Sequence, residues 1–267
     1  MPTTRPVGHH AAWNDVLTDY LITDPFFYVV AAPAVVLVGI SKSGFGAGFG
    51  SLAVPLMAMA VTVPQAAAIL MPLLFVIDVL GIAAYRRDFD LSLLKFLVPW
   101  GLVGTLVGYL SFSLLETHWV AGLVGFFTLL FLAQRVLFPP AAQGHAPPRW
   151  LGAILTTLSG FTSFIAHTGA PPVNAYLLPM RLDPVKFAAT LSVYFFFMNF
   201  AKWVPYAALG LLDWRNLCTA LVLMPLVPVG VWSGVRIARR IEPKLFYQMV
   251  HLGMLLTGSK LMWDALH

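Results

Sequence analysis

Residues 26–63 read FFYVVAAPAVVLVGISKSGFGAGFGSLAVPLMAMAVTV. An apolar run, Phe26–Ile40, stops at Ser41–Ser51, where Gly44, Gly46, Gly48 and Gly50 crowd together. A short apolar stretch, Leu52–Val63 with Pro55 inside it, then follows. Lipid supplies no hydrogen bonds to open backbone. A break of this kind in a membrane protein must therefore be buried in protein or line a cavity. The stretch predicts a membrane helix interrupted beside a space that a ligand can reach.

The composition agrees. The chain has 267 residues, 59% of them hydrophobic and 10% charged, with a mean hydropathy of +0.82. Soluble domains are roughly 45–50% apolar and about 25% charged. A soluble enzyme, a nucleic-acid-binding module and a disordered scaffold all fit this composition poorly. At roughly 20 residues per helical span the chain allows about eight to ten spans and little else. The net charge of +5 fits basic residues gathered in cytoplasmic loops, so no nucleic-acid partner is implied. The single cysteine, Cys218, rules out an intramolecular disulfide and a cysteine-based metal cluster. There is no GxxxxGK[ST] loop, and His118, His145, His251 and His267 lack the spacing of paired metal ligands. Neither a cofactor nor a metal is expected.

Residues 1–25 read as a tail without a cleavable signal, whose segment 11–24 suits an interfacial helix carrying Trp13 and Tyr20. Further apolar runs occupy Gln65–Tyr85, Leu91–Phe112 and Trp119–Phe138. A Pro/Gly/Gln linker spans 139–149. Beyond it lie Trp150–Ala166, a second break at His167–Asn174, a short stretch at Ala175–Met180, and runs at Val185–Leu209, Trp214–Val235 and Leu245–Leu266. The halves, 26–138 and 150–267, resemble each other. Pro64 and Pro184 are 120 apart, Tyr85 and Tyr206 are 121 apart, Asp90 and Asp213 are 123 apart, and Gly104/Gly230 and Gly108/Gly234 are 126 apart. This ordered series points to an internal duplication.

Charge orients the halves. Arg86 and Arg87 follow the third run of the first half, whereas Arg236, Arg239, Arg240 and Lys244 follow the fourth run of the second. With both basic loops cytoplasmic, equivalent loops face opposite sides. The predicted fold is an all-α polytopic membrane protein of two inverted repeats. Each repeat has about five helical segments, one of them broken or re-entrant, and both termini lie outside.

A pair of interrupted segments at matching places in inverted repeats marks a transporter's binding site. Helix N-termini resuming at Ser51–Leu52 and Asn174–Ala175 would aim N–H groups at an anion. Lys42, at the edge of the first break, and Lys202, deep within Val185–Leu209, would supply positive charge. Gly46, Gly48 and Gly50 would admit the ligand, while Ser43, Ser51, Thr168, Asn174 and Asn199 would offer hydrogen bonds. His167 would donate to an anion or titrate. Asp78, which matches Asn199 across the repeats, would pair with Lys42 or Lys202 or carry a coupling proton. Asp88, Asp90, Asp183, Asp213, Glu116 and Glu242 read as helix caps and loop charges.

The segments GISKSGFGAGFGSLAVPLMAM (39–59), SGFTSFIAHTGAPPVNAYLL (159–178) and ATLSVYFFFMNFAKWVPYAALG (189–210) resemble the two repeat signatures of the TauE/SafE sulfite exporter family, also called the toluene sulfonate uptake permeases. The first break reads Gly-Phe-Gly where many members have consecutive glycines. The resemblance implies a secondary transporter of small anions such as sulfite, sulfonates or related carboxylates, often exporting, in the cell (inner) membrane. It leaves proton or other ion coupling and a homodimer open. Two other classes compete with it: an intramembrane serine hydrolase built on Ser43 or Ser51 with His167, and an anion channel.

Overall fold

A computed structural model describes residues 20–45, 50–112, 117–137, 147–208, 210 and 212–266, and every regular element within them is helical. Helix α1 (Pro25–Phe45), a 3₁₀ turn (Gly50–Leu52) and α2 (Ala53–Met57) form the first interrupted pair. Helices α3 (Val63–Ala84), α4 (Leu91–Ser111) and α5 (Thr117–Leu137) complete the first half. The second half repeats the order: α6 (Arg149–Ala166), α7 (Ala170–Leu177) with a 3₁₀ turn (Leu178–Met180), α8 (Pro184–Ala208), α9 (Trp214–Leu223), α10 (Leu226–Ala238) and α11 (Pro243–Leu266). Gly46, Gly48, Glu116, most of the 139–149 linker and most of the N-terminal tail lie outside the described residues.

Local chemistry sets the helix starts. Thr62 caps α3, its hydroxyl accepting from Gln65 N, and Pro64 in the first turn needs no hydrogen-bond partner. Asp183 accepts from Val185 N where α8 starts at Pro184. Asp90 caps α4 by accepting from Ser92 N and Leu93 N, and Asp213 caps α9 by accepting from Asn216 N.

Two sequence expectations need correction. The second break resumes at Ala170, not at Asn174–Ala175, because Pro171 and Pro172 fit the first turn of α7 and start it early. The run Trp214–Val235 is not one straight span. It bends by 52° between α9 and α10, where Pro225 has no N–H to continue the ladder.

Four described helices (α1, α3, α4 and α8) are each long and apolar enough to cross a bilayer, and α9 with α10 adds a fifth if the bent pair is one span. Large apolar side chains face outward along several helices, among them Val29, Leu110, Trp150 and Val204. A surface of this kind suits lipid and not water.

The packing is reciprocal between the halves. Helix α1 packs on α10, and α6, its counterpart, packs on α4. Gly39 meets Gly230 and Gly44 meets Gly234, so α1 and α10 run parallel. A Cβ on Gly104 would fall 1.8 Å from Thr157 O, and one on Gly160 would fall 1.9 Å from Gly101 O. Small residues thus let backbones touch along both seams. The counterparts α3 and α8 pack directly on each other and run antiparallel, with Gly81 beside Ser192, Asp78 beside Asn199, and Phe75 against Phe196 and Trp203. The counterparts α5 and α11 do the same, with Gly122 near Ala265 and Gly125 near Gly258.

Candidate functional site

The antiparallel α3–α8 pair brings its polar residues to the centre of the bundle. Asp78 is 1% exposed. Its Oδ1 lies 2.5 Å from Lys42 Nζ of α1, and its Oδ2 accepts from Asn199 Nδ2 at 2.5 Å. Lys42 also lies over the Phe195 ring, 5.3 Å from its centroid. Lys202 Nζ donates to Ser163 O (2.6 Å), Ser163 Oγ (2.8 Å) and Asn199 Oδ1 (3.2 Å). A continuous chain therefore runs Lys42–Asp78–Asn199–Lys202–Ser163 through five side chains on four helices.

All of these side chains but Asp78 border a cavity of about 40 Å³, room for a few water-sized groups. Its polar lining is Lys42, Ser163, His167, Asn199 and Lys202. Its apolar lining includes Val38, Val54, Leu70, Leu74 and Phe195. Both breaks reach it, the first through Gly50 and the second through His167, Gly169 and Ala170. The N-terminus of α7 opens onto it, whereas α2 is only five residues long and follows a 3₁₀ turn, which leaves it little dipole.

His167 ends α6 in the left-handed region, at φ 51°, an uncommon place for a residue other than glycine. Its Nε2 sits 2.8 Å from the Tyr206 hydroxyl. Tyr206 OH also donates to Phe164 O, and Tyr85 OH makes the matching bond to Ser43 O, each across 42 residues of chain.

Of the residues picked out from sequence, Lys42, Asp78, Asn199 and Lys202 meet in one network, and Lys42, Gly50, His167, Asn199 and Lys202 line the cavity. Ser43 is buried beside Gly81, its hydroxyl without a hydrogen-bond partner and its carbonyl taken by Tyr85. It makes no bond to His167. Ser51 stands in the first 3₁₀ turn. Thr168 and Asn174 are buried next to the second break but off the cavity wall, their side-chain polar atoms unpartnered. Gly46 and Gly48 lie outside the described residues. Sequence reading missed Ser163, Phe195 and Tyr206 as neighbours of the charges. The repeat register held the signal for the first, since Ser163 stands 121 residues after Lys42.

The family model for the sulfite exporter TauE/SafE matches residues 31–261. The chain belongs to the TauE/SafE family. The match covers nearly all of the membrane-embedded helices, so this TauE/SafE chain is an integral membrane protein of a transporter family. No curated protein and no solved structure matches it.

Proposed function

We propose that this TauE/SafE chain is a secondary transporter that exports small anions, of the sulfite, organosulfonate or short carboxylate kind, across the cell (inner) membrane. One observation carries the reading: two lysines and a single carboxylate are buried together beside a cavity that both helix breaks reach. Buried charge inside a bilayer is costly and marks a transport path. Its surplus here is positive.

Alternating access between two inverted repeats is the proposed mechanism. Equivalent helices packed antiparallel (α3 with α8, α5 with α11) support it, as does the exchange of partners between α1–α10 and α6–α4. The basic loops support it too, because Arg239 bonds Ala84 O and Asp88 and so sets the end of α10 beside the end of α3. The positive-inside rule makes that end cytoplasmic.

The cavity is lopsided in a way that fits one of two facings. Val38, Val54 and Leu70 line it, but their counterparts Ser159, Asn174 and Leu191 are buried off its wall. In the opposite facing those three would form the lining, and the unpartnered Asn174 amide would gain a partner.

Reconstitution tests the proposal. Vesicles holding the purified chain should take up labelled sulfite or methanesulfonate saturably and show counterflow. A non-saturating conductance would convert the reading to a channel, and no flux of any tested anion would remove it.

A further inference from the structure

The charge count in the core goes further than anion preference. Three charged side chains are buried among the described residues: Lys42, Asp78 and Lys202, at 6%, 1% and 1% exposure. Lys42 and Asp78 neutralise each other in direct contact at 2.5 Å. The second carboxylate oxygen is occupied by the Asn199 amide, which turns its own oxygen toward Lys202. Lys202 therefore has no carboxylate of its own. Its three bonds all go to neutral oxygens, those of Ser163 and Asn199. Three donors is the full complement of an ammonium group. Three oxygens thus match the three donors of an ammonium group on the lining of the cavity, with no carboxylate among them.

We infer that the cavity is selective by charge number: it takes singly charged small anions, excludes doubly charged ones, and is set to that number by Asp78. The inference rests on the transporter reading above and adds the substrate's valence to it. One negative charge brings the buried cluster to neutrality. A second would sit uncompensated and out of water, a penalty with no partner to offset it. The apolar lining of Val38, Leu70 and Leu74 suits the alkyl end of such an ion, as in an alkanesulfonate, and offers nothing to a second charged oxygen.

The repeat supplies the controls. Asp78 and Asn199 occupy equivalent positions, one charged and one neutral. Asp78→Asn raises the surplus by one positive charge, and Asn199→Asp cancels it.

The test measures binding to the purified full chain in nanodiscs. The probes are methanesulfonate and its near-isostere sulfate, at a mildly acidic pH where the latter still carries two charges. The wild-type chain should bind methanesulfonate at least tenfold more tightly. Asn199→Asp should lose methanesulfonate at least tenfold, and Asp78→Asn should shift the ratio toward sulfate by at least tenfold. Should Asp78→Asn fail to fold, the wild-type ratio and Asn199→Asp decide the matter. Equal wild-type affinities, or undiminished binding by Asn199→Asp, would overturn the valence inference and leave the anion-transporter reading standing. Failure of both probes to bind would count against the transporter reading itself.

Discussion

Asn199 Nδ2 donates to Asp78 Oδ2 across the interface between α3 and α8, joining two residues that stand 121 apart at equivalent places in the two halves. The helices they sit on meet at the centre of the molecule, so the pair lies where the halves are related to each other. Lys42 attaches on one side and Lys202 on the other. The network is continuous because one member of the central pair is an acid and the other an amide able to donate and accept at once.

Breaking the ion pair should cost fold and function separately. Lys42→Met strands a buried carboxylate, at a cost of about 3–5 kcal/mol. Lys42→Met/Asp78→Asn removes both charges and should recover most of that stability in a thermal unfolding assay. Lys42→Met, whose cluster has no surplus charge, should transport at less than a tenth of the wild-type rate in reconstituted vesicles. The double variant restores the surplus of one positive charge and should recover part of the flux; no recovery would show that Lys42 itself is needed at the site.

The two tyrosines should behave differently despite their matching bonds. Tyr85→Phe deletes a hydrogen bond to Ser43 O and should lower stability by about 0.5–1.5 kcal/mol with little effect on flux. Tyr206→Phe deletes the bond to Phe164 O and also frees His167 Nε2, which lines the cavity. It should alter the apparent affinity for the anion as well as stability. Equal and purely structural effects would remove His167 from the path.

The glycine seam between α4 and α6 leaves no room for a side chain. A methyl at Gly104 or Gly160 would press on carbonyl oxygens at 1.8 Å and 1.9 Å. Gly104→Ala and Gly160→Ala should each destabilise by about 1–3 kcal/mol or more, as overpacking does. Gly258→Ala, whose nearest neighbours are the side-chain tip of Leu129 at 3.1 Å, should be milder. Expression level and monodispersity in detergent rank the three.

Single cysteines on a Cys218→Ser background should report the two facings. Val54→Cys and Leu70→Cys should react with an impermeant thiol reagent from the face opposite the basic loops. Leu191→Cys should react from the basic side, and transported anion should shift the balance of the two rates. Labelling of all three from one face would exclude alternating access.

At the basic end, the Lys186 ammonium lies 2.8 Å from Asp90 Oδ2, and its hydrogen bond holds the Asp90 carboxyl below the usual carboxylate range. A depressed carboxyl stabilises the fold above its unfolded value of about 3.9 and loses that contribution as pH falls through the lower folded value. The pair is partly exposed, so the effect should be small, about 0.2–1 kcal/mol. Asp90→Asn should flatten the acid limb of the stability–pH curve by that amount, measured by thermal shift between pH 5 and pH 3.

Much of this was legible in the residues. The two breaks, the prolines that open α3 and α8, and the 121-residue register follow from glycine, proline and polar spacing that lipid makes consequential. The register even carried the Tyr85 and Tyr206 bonds implicitly. What the sequence hid was the third dimension of the charges. Lys42 and Lys202 both had Asp78 in reach, and only packing put Lys42 on the carboxylate and Lys202 on Ser163. The bend at Pro225 was hidden for a related reason. Interior prolines at 33, 72, 99 and 205 are absorbed within continuous helices, so the residue type alone does not tell which proline breaks its helix.

Lys202 stands where the first half has Gly81, a position where even a Cβ would come within 3.1 Å of Ser192 Oγ. Two identical halves would make the outward and inward forms degenerate, each the mirror of the other in energy. Under the proposed alternating access, a lysine on one side and a bare backbone on the other would lift that degeneracy. The resting chain would then favour one form, and the disfavoured side would bind its ion more weakly by the fraction of molecules poised to receive it. In such a carrier the asymmetry could not choose the direction of net flow, which the gradients set. It would set how much substrate must accumulate on each side before the carrier responds.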